Sequence, residues 1–285
     1  MRATTDLSSL VDCELVLFDV NSEGMRNAMQ KIKPYICSKT IFVVDTKGIE
    51  RETGNFPLEI AAQELPTNKL AVRSGWMSTS HMNAKLWCYA DIGAYFYEVA
   101  KCAKEVLDSS NFTHKVSLDP VGVQYSGPLK NAFTTLLGAI SEINKCHPKL
   151  RIIIESYWNR GIEEASRAAE SFGAKPETFA YASNFSIDFL KSISNDTANF
   201  MYGREIGSGL KPKEAALETL IVTGRVPESY FTTSELARKI GSGVTPMLDA
   251  AKSINEGENV EEALEKIGNE FMHYRRIKRK VKMLR

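Results

Sequence analysis

At 285 residues, with 43% hydrophobic and 25% charged side chains, the chain has the composition of a folded globular protein of about two domains, not of a disordered, collagen-like or disulfide-stapled one. Its 36 basic and 35 acidic residues leave a formal charge of +1, so no global field draws it to nucleic acid or to an anionic membrane. No apolar run approaches the ~20 residues that span a bilayer, and the first residues lack the apolar core of a signal peptide.

Along the chain, short apolar runs predict strands over 14–20, 40–46, 69–74, 85–90 and 115–118. The runs Leu15-Val-Leu-Phe18 and Ile41-Phe-Val-Val44 are continuous rather than alternating, the pattern of strands buried on both faces of a parallel sheet. Between the strands, residues 23–36, 52–65 and 91–107 carry apolar residues at helical spacing. This β/α succession predicts an α/β domain over 1–120 with crossover helices. After Pro120 the strand signals stop, and helices are predicted over 131–143, 150–172, 178–192, 213–222, 232–240, 246–255 and 260–273. Residues 121–285 therefore form a second, all-helical domain.

The five cysteines are odd in number and include no Cys-x-x-Cys pair, which points to a reducing compartment and a cytoplasmic protein. The four histidines pair with no cysteine at metal-ligand spacing, so no metal is expected. From His273 to Arg285 there are seven Lys or Arg in thirteen residues. That run reads either as a solvated helix end favoured by the helix dipole or, over 275–285, as a binding element for an acidic partner.

Two segments carry a resemblance. One is Ile32-Lys-Pro-Tyr35 followed by Thr46-Lys-Gly-Ile-Glu-Arg-Glu-Thr-Gly54 and then Ser74-Gly75; the other is Gly122-Val-Gln-Tyr-Ser-Gly-Pro-Leu-Lys-Asn131. Together they resemble the NAD(P)-dependent glycerol-3-phosphate dehydrogenases of bacterial and plastid type. Weaker echoes follow in the same order: Arg160-Gly-x-x-Glu164, Gly173-Ala-x-Pro-Glu-Thr-Phe179, Tyr202-Gly-x-x-x-Gly-x-Gly209 and Val222-Thr-Gly224.

The resemblance implies a partial Rossmann-like parallel sheet followed by a helical domain like that of 6-phosphogluconate dehydrogenase. It also implies NAD or NADP as cofactor, and dihydroxyacetone phosphate and sn-glycerol 3-phosphate as substrates. Residue by residue, it places Lys130 at the substrate carbonyl, where negative charge develops during hydride transfer, with Lys47 and Asp188 beside it. Asn131, Ser192 and Asn199 match substrate-binding positions of the family.

The chain also departs from the family. No Gly-x-Gly-x-x-Gly follows a strand and opens a helix, so no pyrophosphate loop is legible and cofactor-binding residues stay unassigned. The family's Arg-Asn-Arg cluster reads Ala198-Asn199-Phe200, the acid of its Val-Glu-Gly is Thr223, and its Ser-Gly-Pro-x-x-Ala-x-Glu reads Ser74-Gly-Trp-Met-Ser-Thr-Ser-His81. Aligned on the shared segments, Met1 falls well inside the usual family chain, so a truncated Rossmann half is expected. In the strand order 3-2-1-4-5-6, strand 14–20 then becomes an apolar edge, expected to be covered by a homo-oligomer or a larger complex. Three readings stay open: a dehydrogenase, a non-catalytic scaffold or assembly subunit descended from one, and a fragment of a longer enzyme.

Overall fold

The computed structural model describes residues 3–21, 24–77, 79–194, 197–265 and 267; the basic run over 275–285 lies outside them. By compactness the chain divides into two units, Met1–Pro128 with Ala169–Asp188, and Leu129–Ala168 with Phe189–Arg285. No described helix is long and apolar enough to cross a membrane.

The first unit is built on a five-stranded sheet in the order β1 (Leu15–Phe18), β2 (Ile41–Val44), β3 (Leu70–Trp76), β4 (Cys88–Ala94) and β5 (Phe112–Ser117). Helices α1 (Met25–Ile32) and α2 (Pro57–Glu64) separate the first three strands, and α3 (Thr79–Asn83) and α4 (Tyr97–Leu107) the later ones. The long helix α5 (Pro120–Ile143) follows β5. Side chains alternate across β2. Phe42 and Val44 join the core with α1, α2 and Val123, while Val43 joins Ile92, Ala94 and the buried face of α4.

Three expectations need correction. The sheet is not parallel throughout, because β3 and β4 pair antiparallel. Their connection is too short for a crossover, which takes a dozen or more residues. Residues Asp91 to Ala94 continue β4 instead of opening a helix, since Cys88, Ala90, Ile92 and Ala94 are fully buried at a spacing of two. Finally, β1 is not buried on both faces: Val16 and Phe18 enter the core, but Leu17 is 38% exposed. Among the described strands β1 pairs with β2 alone, so it is the sheet edge.

No strand follows Ser117 among the described residues. The helices after α5 are α6 (Leu150–Glu170), α7 (Asn184–Ser192), α8 (Ala198–Ser208), α9 (Pro212–Thr223), α10 (Glu228–Ile240), α11 (Pro246–Asn255) and α12 (Val260–Glu265). Residues 178–192 are not one helix: a short 3-10 turn at Pro176–Phe179 precedes α7. Helix α8 lies outside the predicted helices, and its glycines lower its intrinsic helix propensity. In the second unit those glycines let α8 lie backbone to backbone on α5. A Cβ on Gly203 would stand 1.9 Å from the Thr135 carbonyl oxygen, and one on Gly138 2.1 Å from that of Phe200.

Helix α5 starts at Pro120, well before the expected Asn131, and Pro128 sits inside it. Pro120 suits a first helical position, while Pro128 removes the N–H that would meet the Gln124 carbonyl.

Candidate active site

Lys47 leaves the end of β2 on the loop running to α2, and that loop is pinned at several points. Asp45 donates its backbone N–H to the Phe18 carbonyl at 2.8 Å, and its carboxylate pairs with Arg73 of β3. Thr46 Oγ1 accepts from the Val20 backbone at 3.0 Å. Arg26 of α1 forks onto Glu50 at 2.8 and 2.7 Å and also reaches Glu64 at 2.6 Å. That pairing holds the Glu50 carboxyl below its ordinary range, as Arg26 favours its charged form.

The segment Gly122-Val-Gln124 locks this loop onto α5. Gln124 Oε1 accepts from the buried Leu58 N–H at 2.9 Å, satisfying an orphan donor in the first turn of α2. At Gly122 a Cβ would lie 2.0 Å from Asp119 Oδ2. The Asp119 carboxylate accepts from Gly122 N at 2.9 Å, Lys175 N at 2.9 Å and Thr178 Oγ1 at 2.5 Å, which ties the Gly173–Phe179 echo to the start of α5. In this chain Gly122 and Gln124 thus serve the starts of α5 and α2.

Further along α5, Ser126 donates to the Val123 carbonyl at 2.7 Å and lies 3.0 Å from Ser74 Oγ. Gly127 has no side chain, and the place its Cβ would take is 3.4 Å from Ser74 Oγ and 3.5 Å from Cγ and Cδ of Lys47. The structure thus gathers Lys47, Ser74, Ser126 and Gly127 in the first unit.

Across the antiparallel register from Ser74 stands Asp91. Its carboxylate accepts from Asn184 Nδ2 at 2.7 Å. Burial, with a further push from Asp188, raises the Asp91 carboxyl to about 6, against the pull of Asn184 and Lys115. Burial and the charges of Asp188 and Asp91 likewise push the Tyr89 phenol upward. Asp188 itself is 4% exposed, on α7. Sequence reasoning named Asp188 but missed Asp91 and Asn184; the signal was a lone acid in the middle of an apolar strand.

In the second unit, Lys130 and Asn131 on α5 are both buried, at 8% and 4% exposure. Asn131 Nδ2 donates to Glu228 Oε2 at 2.6 Å. One turn on, Thr134 Oγ1 meets Ser192 Oγ at 2.6 Å, and Thr135 Oγ1 meets Ser229 Oγ at 2.7 Å. Asn199 accepts from the Ser229 backbone N–H at 3.0 Å through its side chain and from Thr135 Oγ1 at 3.1 Å through its carbonyl. Asn199 thus joins Thr135 and Ser229, while Ser192 pairs with Thr134 and Asn131 with Glu228; sequence reasoning missed Thr134, Thr135, Glu228 and Ser229. A pair of threonines in an otherwise apolar helical run was the available signal. Phe200, where the resemblance calls for an arginine, is buried at 6% exposure.

A nicotinamide cofactor needs backbone that a pyrophosphate can approach. The sole glycine between β1 and α1 is Gly24, where a Cβ would meet Asn21 Oδ1 at an ordinary 3.4 Å, so nothing there requires a glycine for close approach.

Residues 1–96 match the family model for the NAD-dependent glycerol-3-phosphate dehydrogenase N-terminus, and residues 119–265 that for its C-terminus. A glycerol-3-phosphate dehydrogenase [NAD(P)+] of Rhizobium johnstonii is 27% identical over 268 residues, covering 94% of this chain and 79% of the relative. That of Mannheimia succiniciproducens is 30% identical over 247 residues, with 85% and 71% covered. The crystal structure of glycerol-3-phosphate dehydrogenase from Coxiella burnetii superposes with a TM-score of 0.79 at 24% identity, over 93% of this chain and 80% of that one. The Saccharomyces cerevisiae enzyme gives 0.78 at 16% identity, over 93% and 79%. The chain belongs to the NAD-dependent glycerol-3-phosphate dehydrogenase family.

Proposed function

We propose that this chain binds the family's three-carbon substrates, dihydroxyacetone phosphate and sn-glycerol 3-phosphate, and that its own residues lack the pyrophosphate half of the cofactor site. The observation that carries the substrate reading is the segment 122–131, which lies within the match to the family's C-terminal model and sets Lys130, 8% exposed, next to Asn131 on α5. The Lys130 ammonium donates to the C2 oxygen of the substrate and stabilises the charge that develops there. Lys47 supplies a second cation, and the Asp188 carboxylate holds an ammonium in place. Asn131, Ser192 and Asn199 offer hydroxyl and amide groups to the substrate. In the family the hydride comes from a nicotinamide, and no hydride step is assigned to these residues.

Calorimetric titration of the chain and its Lys130→Met variant with dihydroxyacetone phosphate tests the reading. Binding in the range of roughly 1 μM to 1 mM is expected, weakened at least about tenfold by the substitution. Equal binding by both proteins, or by neither, overturns it. The same titration with NADH and NADPH, followed by a turnover assay, tests the cofactor half: efficient reduction would show that other residues hold the dinucleotide.

One observation favours the second reading, a non-catalytic subunit. Phe200 has become core, and Ala198 leaves the start of α8 without a guanidinium. A stable fold with no ligand response is its signature. The β1 edge, with Leu17 exposed, supports the further proposal that a second copy or larger complex covers this strand. Light scattering on the purified chain would count against it by returning a monomer. An acidic partner for 275–285 is likewise a proposal, tested by adding heparin-like polyanions to the chain with and without those residues.

A further inference from the structure

On the α4 face of the sheet lies a buried charge cluster to which the proposed reaction gives no role. Asp45, Arg73 and His114 have side chains 7%, 10% and 0% exposed, and each carries a buried atom with no hydrogen-bond partner: Asp45 Oδ1, Arg73 Nε and His114 Nε2. His114 Nδ1 lies 2.8 Å from Asp108 Oδ1, which also accepts from the His114 backbone N–H at 2.8 Å. Arg73 pairs with Asp45 through Nη2 and stacks its guanidinium 5.4 Å from the centre of the Phe112 ring. Phe112 in turn packs on His114 with ring centres 4.3 Å apart.

Two of the orphaned atoms are complementary. A carboxylate only accepts, so Asp108 selects the tautomer of His114 that carries its proton on Nδ1 and leaves Nε2 as an acceptor. Arg73 Nε–H is a donor with nothing to donate to. An unsatisfied buried polar group costs about 1–3 kcal/mol, and a single water that accepts from the donor and donates to the acceptor removes two such costs. The far end of the chain is Asp45, two residues before Lys47.

We propose that a single water joins Arg73 Nε to His114 Nε2, so that the Asp108–His114 and Arg73–Asp45 pairs form one relay across the sheet, and that Arg73 and His114 are positioning residues that fix the start of the Lys47 loop. The relay needs a neutral His114. Its charged neighbours are Asp108, Lys104 of α4 and Arg73 of β3, and burial together with Arg73 favours the uncharged ring over the pull of Asp108. A protonated ring would lose its acceptor and place a cation beside Arg73.

The importance of Lys47 rests on the function proposed above, but the relay does not need turnover to be tested. Hydrogen exchange of peptides covering 46–56 reads the loop directly. In Arg73→Met and His114→Phe, exchange there should rise about tenfold or more while peptides from 129–168 stay within about twofold, as for a local rather than a global opening. His114→Gln, which keeps an acceptor oxygen, and Arg73→Lys, which keeps the charge, should fall between these variants and the parent. In the parent chain, nitrogen NMR of labelled histidine at pH 7.5 should show His114 protonated on Nδ1 and bare on Nε2. An Nε2-protonated ring, an unchanged loop, or a rise shared by every peptide would each overturn the relay. Loss of dihydroxyacetone phosphate binding in the parent chain would overturn the function and leave these readouts standing.

Discussion

Asp91 supplies a stability prediction whose sign and size follow from its surroundings. Its carboxyl sits at about 6 against an ordinary 3.8, because burial penalises the anion more than Asn184 and Lys115 relieve it. Below pH 3.8 both folded and unfolded chains hold the proton, so the group contributes nothing adverse there. Between 3.8 and about 6 the folded chain binds more proton than the unfolded one, and stability falls as pH rises. Above about 6 the buried anion carries its full cost of about 3 kcal/mol, at 1.36 kcal/mol per pH unit. Asp91→Asn keeps the shape and an oxygen that can accept from Asn184, but it has no proton to lose. The variant should exceed the parent by only about 0.5 kcal/mol at pH 4 and by about 2–3 kcal/mol at pH 7.5. Urea unfolding followed by far-UV circular dichroism at half-unit steps from pH 4 to 8 reads both curves. Asp188→Asn should move the parent's midpoint downward, since Asp188 is one of the groups raising it. Parallel curves for the parent and Asp91→Asn would refute the reasoning, because the pH dependence would then belong to other groups.

Other substitutions test the scaffold around the site. At Gly127, alanine should be tolerated, since its Cβ meets Ser74 Oγ at 3.4 Å and Lys47 at 3.5 Å, whereas leucine should displace the lysine stem and weaken substrate binding about tenfold or more by calorimetry. Gly203→Ala puts a Cβ 1.9 Å from the Thr135 carbonyl oxygen, forces α8 off α5 and should cost about 3 kcal/mol in urea unfolding. Gln124→Ala strips the acceptor from the buried Leu58 N–H and should cost about 1–2 kcal/mol, with faster exchange confined to the first turn of α2.

Some of this molecule was legible in its sequence, for physical reasons that can be named. Strand β2 was readable because both of its faces are buried, so an unbroken apolar run had one explanation. Strand β4 was half misread because Asp91 and the residues after it also satisfy helical spacing, and only pairing with β3 decides between the periods. Helix α8 was missed because glycine is a poor helix former in solution, yet Gly203 and Gly207 are held in a helix by close contact with α5. Local propensity carries no record of that neighbour.

The shared segments raise a sharper point about chemistry. In sequence, Gly122, Gln124, Glu164 and Lys130 have equal standing as matches to a family pattern. In the structure Gly122 makes room for a carboxylate, Gln124 caps α2, and Glu164, fully buried, pairs with Arg160 and accepts from the Met247 N–H at 2.8 Å to start α11. All three explain themselves by the backbone groups they satisfy. A matched residue whose environment is paid for by structure is weak evidence of reaction, and one whose environment opposes it is stronger. By that criterion the candidate is one unforeseen from sequence, Asp91, whose place opposite Ser74 exists only because two strands far from obvious alignment run antiparallel.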